Sequence, residues 1–147
     1  WQTPETTLGL AYGIRIRNTT GVVVQANTIS GTGEGVSVSV GSADVLDNTI
    51  SDSFLGVAGY GLKDSTISGN AVSGGHTGIQ LELQSAIPDV ESTGNVVSGN
   101  TMDAMVGDCI DGTYPNGSLT LLTKNTWTGN IGALGSDYPD GICPAAS

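Results

Sequence analysis

Large rings and positive charges are what this chain of 147 residues has least of. Aromatic residues make up 5%, with a single Phe, so a core must be built from Val, Ile, Leu and Ala. Charged residues reach only 12%, too few to solvate the outer faces of long helices. Four Lys and Arg stand against fourteen Asp and Glu, a formal net charge of −10. That balance repels a phosphate backbone, which excludes nucleic acid as a partner. An anionic membrane surface is disfavoured for the same reason. No apolar run is long enough to cross a bilayer, so membrane insertion is not expected. Neutral glycans, cations and basic partners remain compatible. The opening "WQTPETT" has neither an initiator Met nor a basic leader region, and reads as the start of a processed product or an excised fragment.

Cysteine is also scarce. Cys109 and Cys143 match no zinc or redox spacing, so the first reading is a disulfide pinning the C-terminal segment. Two unpaired small buried residues are the alternative. A disulfide implies an exported protein, and the sequons at Asn18 ("NTT") and Asn116 ("NGS") are compatible with export.

Glycine is plentiful, at 23 positions, and it falls in a rhythm. A Gly precedes an apolar alternation at Gly13 ("GIRIR"), Gly35 ("GVSVSV"), Gly56 ("GVAGY") and Gly78 ("GIQLEL"), at intervals of 22, 21 and 22. A second anchor is the Asn of "NTISG" (Asn27), "NTISD" (Asn48), "NAVSG" (Asn70), "NVVSG" (Asn95) and "NTWTG" (Asn125), at intervals of 21, 22, 25 and 30. A phrase returning at such an interval describes architecture. Within each unit the apolar residues alternate with period two, as in Val36, Val38 and Val40, which is the signature of a strand.

Several strands per ~22-residue period, and no helix, describe a parallel β-helix whose coils stack ~4.8 Å apart. The Asn residues then form a hydrogen-bonded ladder at one turn. The Ile or Val two positions on forms an aliphatic ladder inside, and the Gly residues sit at bends, often with φ above zero. About five to six coils fill residues 1–130, and residues 131–147 read as a C-terminal cap linked by the disulfide to the last coil. Extra residues in "QSAIPDVESTG" and "MDAMVGDCIDGTYPNGS" read as loops leaving the coil. No matching N-terminal cap is evident: either "WQTPETTLGLAY" folds over the first coil, or further coils precede it.

The segment "GIRIRNTTGVVVQANTISG", with its echoes over residues 9–130, resembles the right-handed parallel β-helix repeats of the pectate-lyase-like superfamily. That superfamily includes polysaccharide lyases, glycoside hydrolases, epimerases and phage tailspikes. The resemblance implies an all-β, right-handed, single-stranded parallel β-helix, and an exposed strand face that holds an extended polysaccharide. Two positions after each anchoring Gly stand Arg15, Ser37, Ala58 and Gln80; four after it stand Arg17, Ser39, Tyr60 and Glu82. On such a face Arg15 and Arg17 would pair with uronate carboxylates, Tyr60 would stack on a sugar ring, and Glu82 would accept hydroxyl protons. Ordinary solvated strand residues are the competing reading.

Catalytic signatures are thin. Asp44, Asp47 and Asp64 are candidate carboxylates but also good turn residues. "GGHTG" around His76 is similar to the Gly-His-Gly of polygalacturonases, but the companion Asn-Thr-Asp, Asp-Asp and Arg-x-Lys motifs are absent. Lys63 and Lys124 have no visible partner as elimination bases. Asp108, Asp111, Asp137 and Asp140 gather in loop and cap without a calcium-loop pattern, so no metal or other cofactor is expected. Thr recurs at no fixed outward position, which argues against an ice-binding face.

Two functions follow. The first is an extracellular carbohydrate-interacting β-helix, a piece of a polysaccharide lyase, glycoside hydrolase or tailspike, on the cell or virion surface. Its partner is a polysaccharide or cell-surface glycan. The second is a non-catalytic structural solenoid of a fibre, appendage or surface layer. Homo-oligomers through coil faces or ends suit either.

Overall fold

A computed structural model describes residues 11–82, 90–112, 124–134 and 136–147. The first coil holds β1 (Tyr12–Gln25) and β2 (Thr28–Ser30), and the second β3 (Glu34–Leu46) and β4 (Thr49–Ser51). The third holds β5 (Leu55–Leu62), β6 (Thr66–Ser68) and the start of β7 (Ala71–Glu82). The remainder of β7, then β8 (Val96–Ser98) and the start of β9 (Thr101–Asp111), make the fourth. The fifth is the rest of β9 with β10 (Thr126–Thr128) and β11 (Ile131–Gly132), and β12 (Asp137–Tyr138) begins a partial sixth. Every strand pairing among these residues is parallel. Residues 1–10 of the expected N-terminal cover, Asn116, and residues 84–89 and 113–118 of the two expected loops lie outside the described residues.

Three aliphatic ladders fill the coil. Ile14, Val36, Val57, Ile79 and Cys109 stack in register. Val24, Val45, Ile67, Val97 and Trp127 form the second ladder. Ile29, Ile50, Val72 and Met102 form the third. Their middle members are fully buried, so each rung removes about 1.5–3 kcal/mol of side-chain hydrophobicity from water. The anchoring glycines exist for a different reason from the one expected. Gly13, Gly35, Gly56 and Gly78 are not left-handed. Each turns its Cα into the third ladder, where an added Cβ would lie within 2.6 Å of both an aliphatic side chain and the carbonyl of the next coil. The left-handed column is elsewhere, at Ala26, Asp47, Gly69, Gly99 and Gly129, each immediately before a ladder Asn.

That ladder differs from the expected one in its upper half. Asn48 accepts at Oδ1 from the backbone and side-chain N–H groups of Asn27 (2.9 and 3.0 Å) and passes the same pair of bonds to Asn70. Asn70 continues to Asn100, not Asn95, and Asn100 to Asn130. Asn95 and Asn125 belong to a second ladder one corner earlier, where Ser65 donates its backbone N–H to Asn95 and Asn95 donates to Asn125. The reason is coil length: Ile67, Val97 and Trp127 are 30 residues apart, so the period lengthens from 22 to 30 with the fourth coil. Much of "MDAMVGDCIDGTYPNGS" is accordingly strand β9 rather than loop.

The coil also continues past Asn130, because β11 and β12 pair in parallel with β9. The disulfide Cys109–Cys143 ties the last segment down, with Cα atoms 5.9 Å apart. Buried Asp108 assists by accepting the backbone N–H groups of Leu134 and Ser136. On the outer surface Thr28, Thr49 and Thr101 do share one column, contrary to expectation, although Ala71 interrupts it.

Asn48 is 1% exposed and also donates to the Val24 carbonyl. Removing it leaves the Asn27 backbone N–H and the Val24 carbonyl of the first coil without partners, so Asn48→Ala is expected to cost about 2–4 kcal/mol in urea unfolding. The half-buried, first-coil Asn27 should cost about 1 kcal/mol on the same substitution.

Candidate functional site

The long first strand of each coil carries one continuous outer face. Register places Arg15, Ser37, Ala58, Gln80 and Ile110 in one row, and Arg17, Ser39, Tyr60 and Glu82 in the next. The four residues singled out from the sequence therefore lie on one face. It is not the open, solvated strip that the alternation suggests. Ser37, Ser39 and Ala58 are buried despite pointing outward.

Tyr60 accounts for part of that. Its hydroxyl donates to Glu34 Oε1 at 3.3 Å, and Glu34 lies five residues before Ser39, the register partner of Tyr60. The phenol is thus drawn lengthwise along the face instead of projecting from it. Glu34 is itself 4% exposed, and its Oε2 has no hydrogen-bond partner. Beside it in the first coil is Tyr12, whose ring carries the Arg15 guanidinium 4.2 Å above its centroid, a cation–π contact. Gln80 donates its side-chain amide to Glu82. Arg17 is exposed and has no partner among the described residues.

Burial raises the Tyr60 phenol above its usual range, and the negative charges of Glu34 and Glu82, with the hydrogen bond to Glu34, push the same way. The phenol therefore stays protonated and acts as a donor. Glu34 and Tyr12 escape a count that begins after the glycine, because both precede it. The available signal was the column Tyr12, Glu34, Leu55 and Thr77, in which a lone carboxylate stands among uncharged residues.

The other candidates are dispersed, and most serve the scaffold. Asp44 accepts the Thr66 backbone N–H at 3.0 Å; Asp47 and Asp64 occupy left-handed corners beside Gly69 and Gly94 of the next coil. Lys124 pairs with Glu91. Asp111 is buried and accepts from Trp127 Nε1 and from Asn125, and Asp137 accepts the Cys143 N–H. Asp140 lies exposed in the last segment. Among the described residues no three His, Cys, Asp or Glu side chains gather to hold a metal. His76 stacks on Phe54 with ring centroids 4.5 Å apart. Lys63 lines a cavity of about 760 Å3 at the far end of the face, together with Asn18, Thr19, Val40, Gly41 and Asp64.

The family described as the right-handed β-helix region matches residues 8–138. The chain belongs to this right-handed β-helix family. No curated protein and no solved structure matches it. Family membership settles the winding of the coil, and the outer face of this β-helix must be interpreted from its own residues.

One consequence of the buried phenol is measurable. A folded-state pKa above the unfolded value means that the unfolded chain loses its proton first, so stability falls as pH rises above about 10. Ultraviolet titration of wild type and Tyr60→Phe should assign the last-ionising tyrosine to residue 60. Thermal melts across the same range should show the alkaline loss reduced in the variant.

Proposed function

We propose that this β-helix is an exported carbohydrate-binding protein that engages a polysaccharide or cell-surface glycan across the Arg15–Arg17–Tyr60–Glu82 face. The observation that carries the reading is the row Arg17, Ser39, Tyr60 and Glu82 across four consecutive coils. Tyr60 is already fixed in it by Glu34, so little side-chain entropy is lost when a ligand docks. Arg17, exposed and unengaged among the described residues, suits the carboxylate of an acidic sugar as a bidentate donor. The net charge of −10 does not forbid this. At physiological ionic strength distant acids are screened beyond about 8 Å, so the local arginines dominate.

Binding is favoured over turnover. A lyase needs a base, and a phenol held protonated by burial and two carboxylates is a poor one. The disulfide fits an oxidising compartment, secreted or at a cell or virion surface. A place within a larger polysaccharide-processing enzyme or tailspike is consistent with both points. The competing reading, a structural solenoid, draws on the number of acids committed to corners and cap.

Calorimetry with uronate-containing and neutral oligosaccharides separates the two. Wild type should bind the acidic ligand, and Arg17→Ala should weaken it at least tenfold with an unchanged melting temperature. Absence of binding to any glycan on a broad array would overturn the carbohydrate reading in favour of the solenoid.

A further inference from the structure

The chain has one Phe and one His, and the fold sets them against each other on its surface. Phe54 lies at the corner between β4 and β5 and is 54% exposed. A molecule so short of rings would gain more by burying its only phenylalanine. Backbone bonds fix its neighbours. Phe54 N–H donates to Thr32 and Leu55 N–H to Gly33, which sets Phe54 beside Gly33 of the previous coil. His76 N–H donates to the Phe54 carbonyl, which sets His76 beside it in the next coil. The imidazole covers one face of the phenyl ring at 4.5 Å and 24°, and its Nδ1 is held by the Thr77 hydroxyl at 3.1 Å. On the other side Gly33 has no side chain with which to cover the ring. Next to it Thr32 and Ser53 share a hydroxyl–hydroxyl hydrogen bond of 2.8 Å. The adjoining residue, Leu55, stands on the rung of Glu34, so this corner borders the Tyr60 face directly.

We infer that Phe54, backed by His76 and flanked by the Thr32 hydroxyl that buried Ser53 holds in place, is a stacking subsite for one pyranose unit of a glycan. A pyranose presents an apolar C–H face for the ring and a rim of hydroxyls for Thr32. Apolar contact with a few placed polar groups is the pattern of a small-ligand site. The inference rests on the carbohydrate reading of the neighbouring face, and it extends that face around the glycine corner by one sugar.

Because both rings are unique in the chain, their proton resonances report the subsite alone. Titration with methyl pyranosides should shift the Phe54 and His76 ring signals together. Phe54→Ala should weaken binding of the longest oligosaccharide at least tenfold, with an unchanged melting temperature, while Phe54→Trp should retain it. Unmoved ring signals overturn the subsite, whatever the polymer does. Phe54→Ala binding every length like wild type, while Arg17→Ala still weakens it, overturns the subsite and leaves the carbohydrate face standing. Ring shifts in a wild type that binds no polymer would support the subsite and overturn the face.

Discussion

A coil that turns three corners in about 22 residues must bury some of the backbone at those corners, and buried N–H and C=O groups need partners. The Asn ladder meets that need. Each Asn amide oxygen accepts two N–H groups from the coil before, and each amide nitrogen donates both to the next Asn and back to a carbonyl of the coil before, as Asn48 does to Val24 and Asn70 to Val45. No other side chain offers two donors and an acceptor on so short a stem. Because every member satisfies its neighbours, removing one exposes groups on two coils. The rest of the stack inherits its register from this column.

Register is what turns a scaffold into a face. Arg17, Tyr60 and Glu82 are distant in sequence and share a row only because equivalent residues lie one above another. The same stacking places Phe54 between a glycine and a histidine, and Tyr60 within reach of Glu34. Several of the acids that give the chain its charge are committed elsewhere, at left-handed corners, under the last segment, or against Trp127.

Much of this was legible in the residues. The Gly anchors located the strand face, period two gave the outward rows, and the lone cysteine pair suggested its own bond. The upper ladder was not legible, for a specific reason. Two corners of each coil are written with nearly the same phrase: "NAVSG" at Asn70 belongs to one, "NVVSG" at Asn95 to the other. Sequence likeness alone aligns them, and only the 30-residue spacing of "STISGN", "NVVSGN" and "NTWTGN" separates the columns. Glu34 was hidden differently. It precedes the glycine at which the chain bends, and its contact with Tyr60 joins residues 26 apart. Which side of a corner a carboxylate takes depends on the third dimension, and alternation is silent about it.

The account stands on Asn70 being continued by Asn100 and not by Asn95. A double-mutant cycle reads that directly, from urea unfolding of the single and paired Ala variants at 70, 95 and 100. Residues in hydrogen-bond contact couple by about 0.5–3 kcal/mol, whereas separated ones add to within about 0.5 kcal/mol. Coupling between Asn70 and Asn100, with additivity between Asn70 and Asn95, is the predicted result. Coupling between Asn70 and Asn95, with additivity between Asn70 and Asn100, would contradict it.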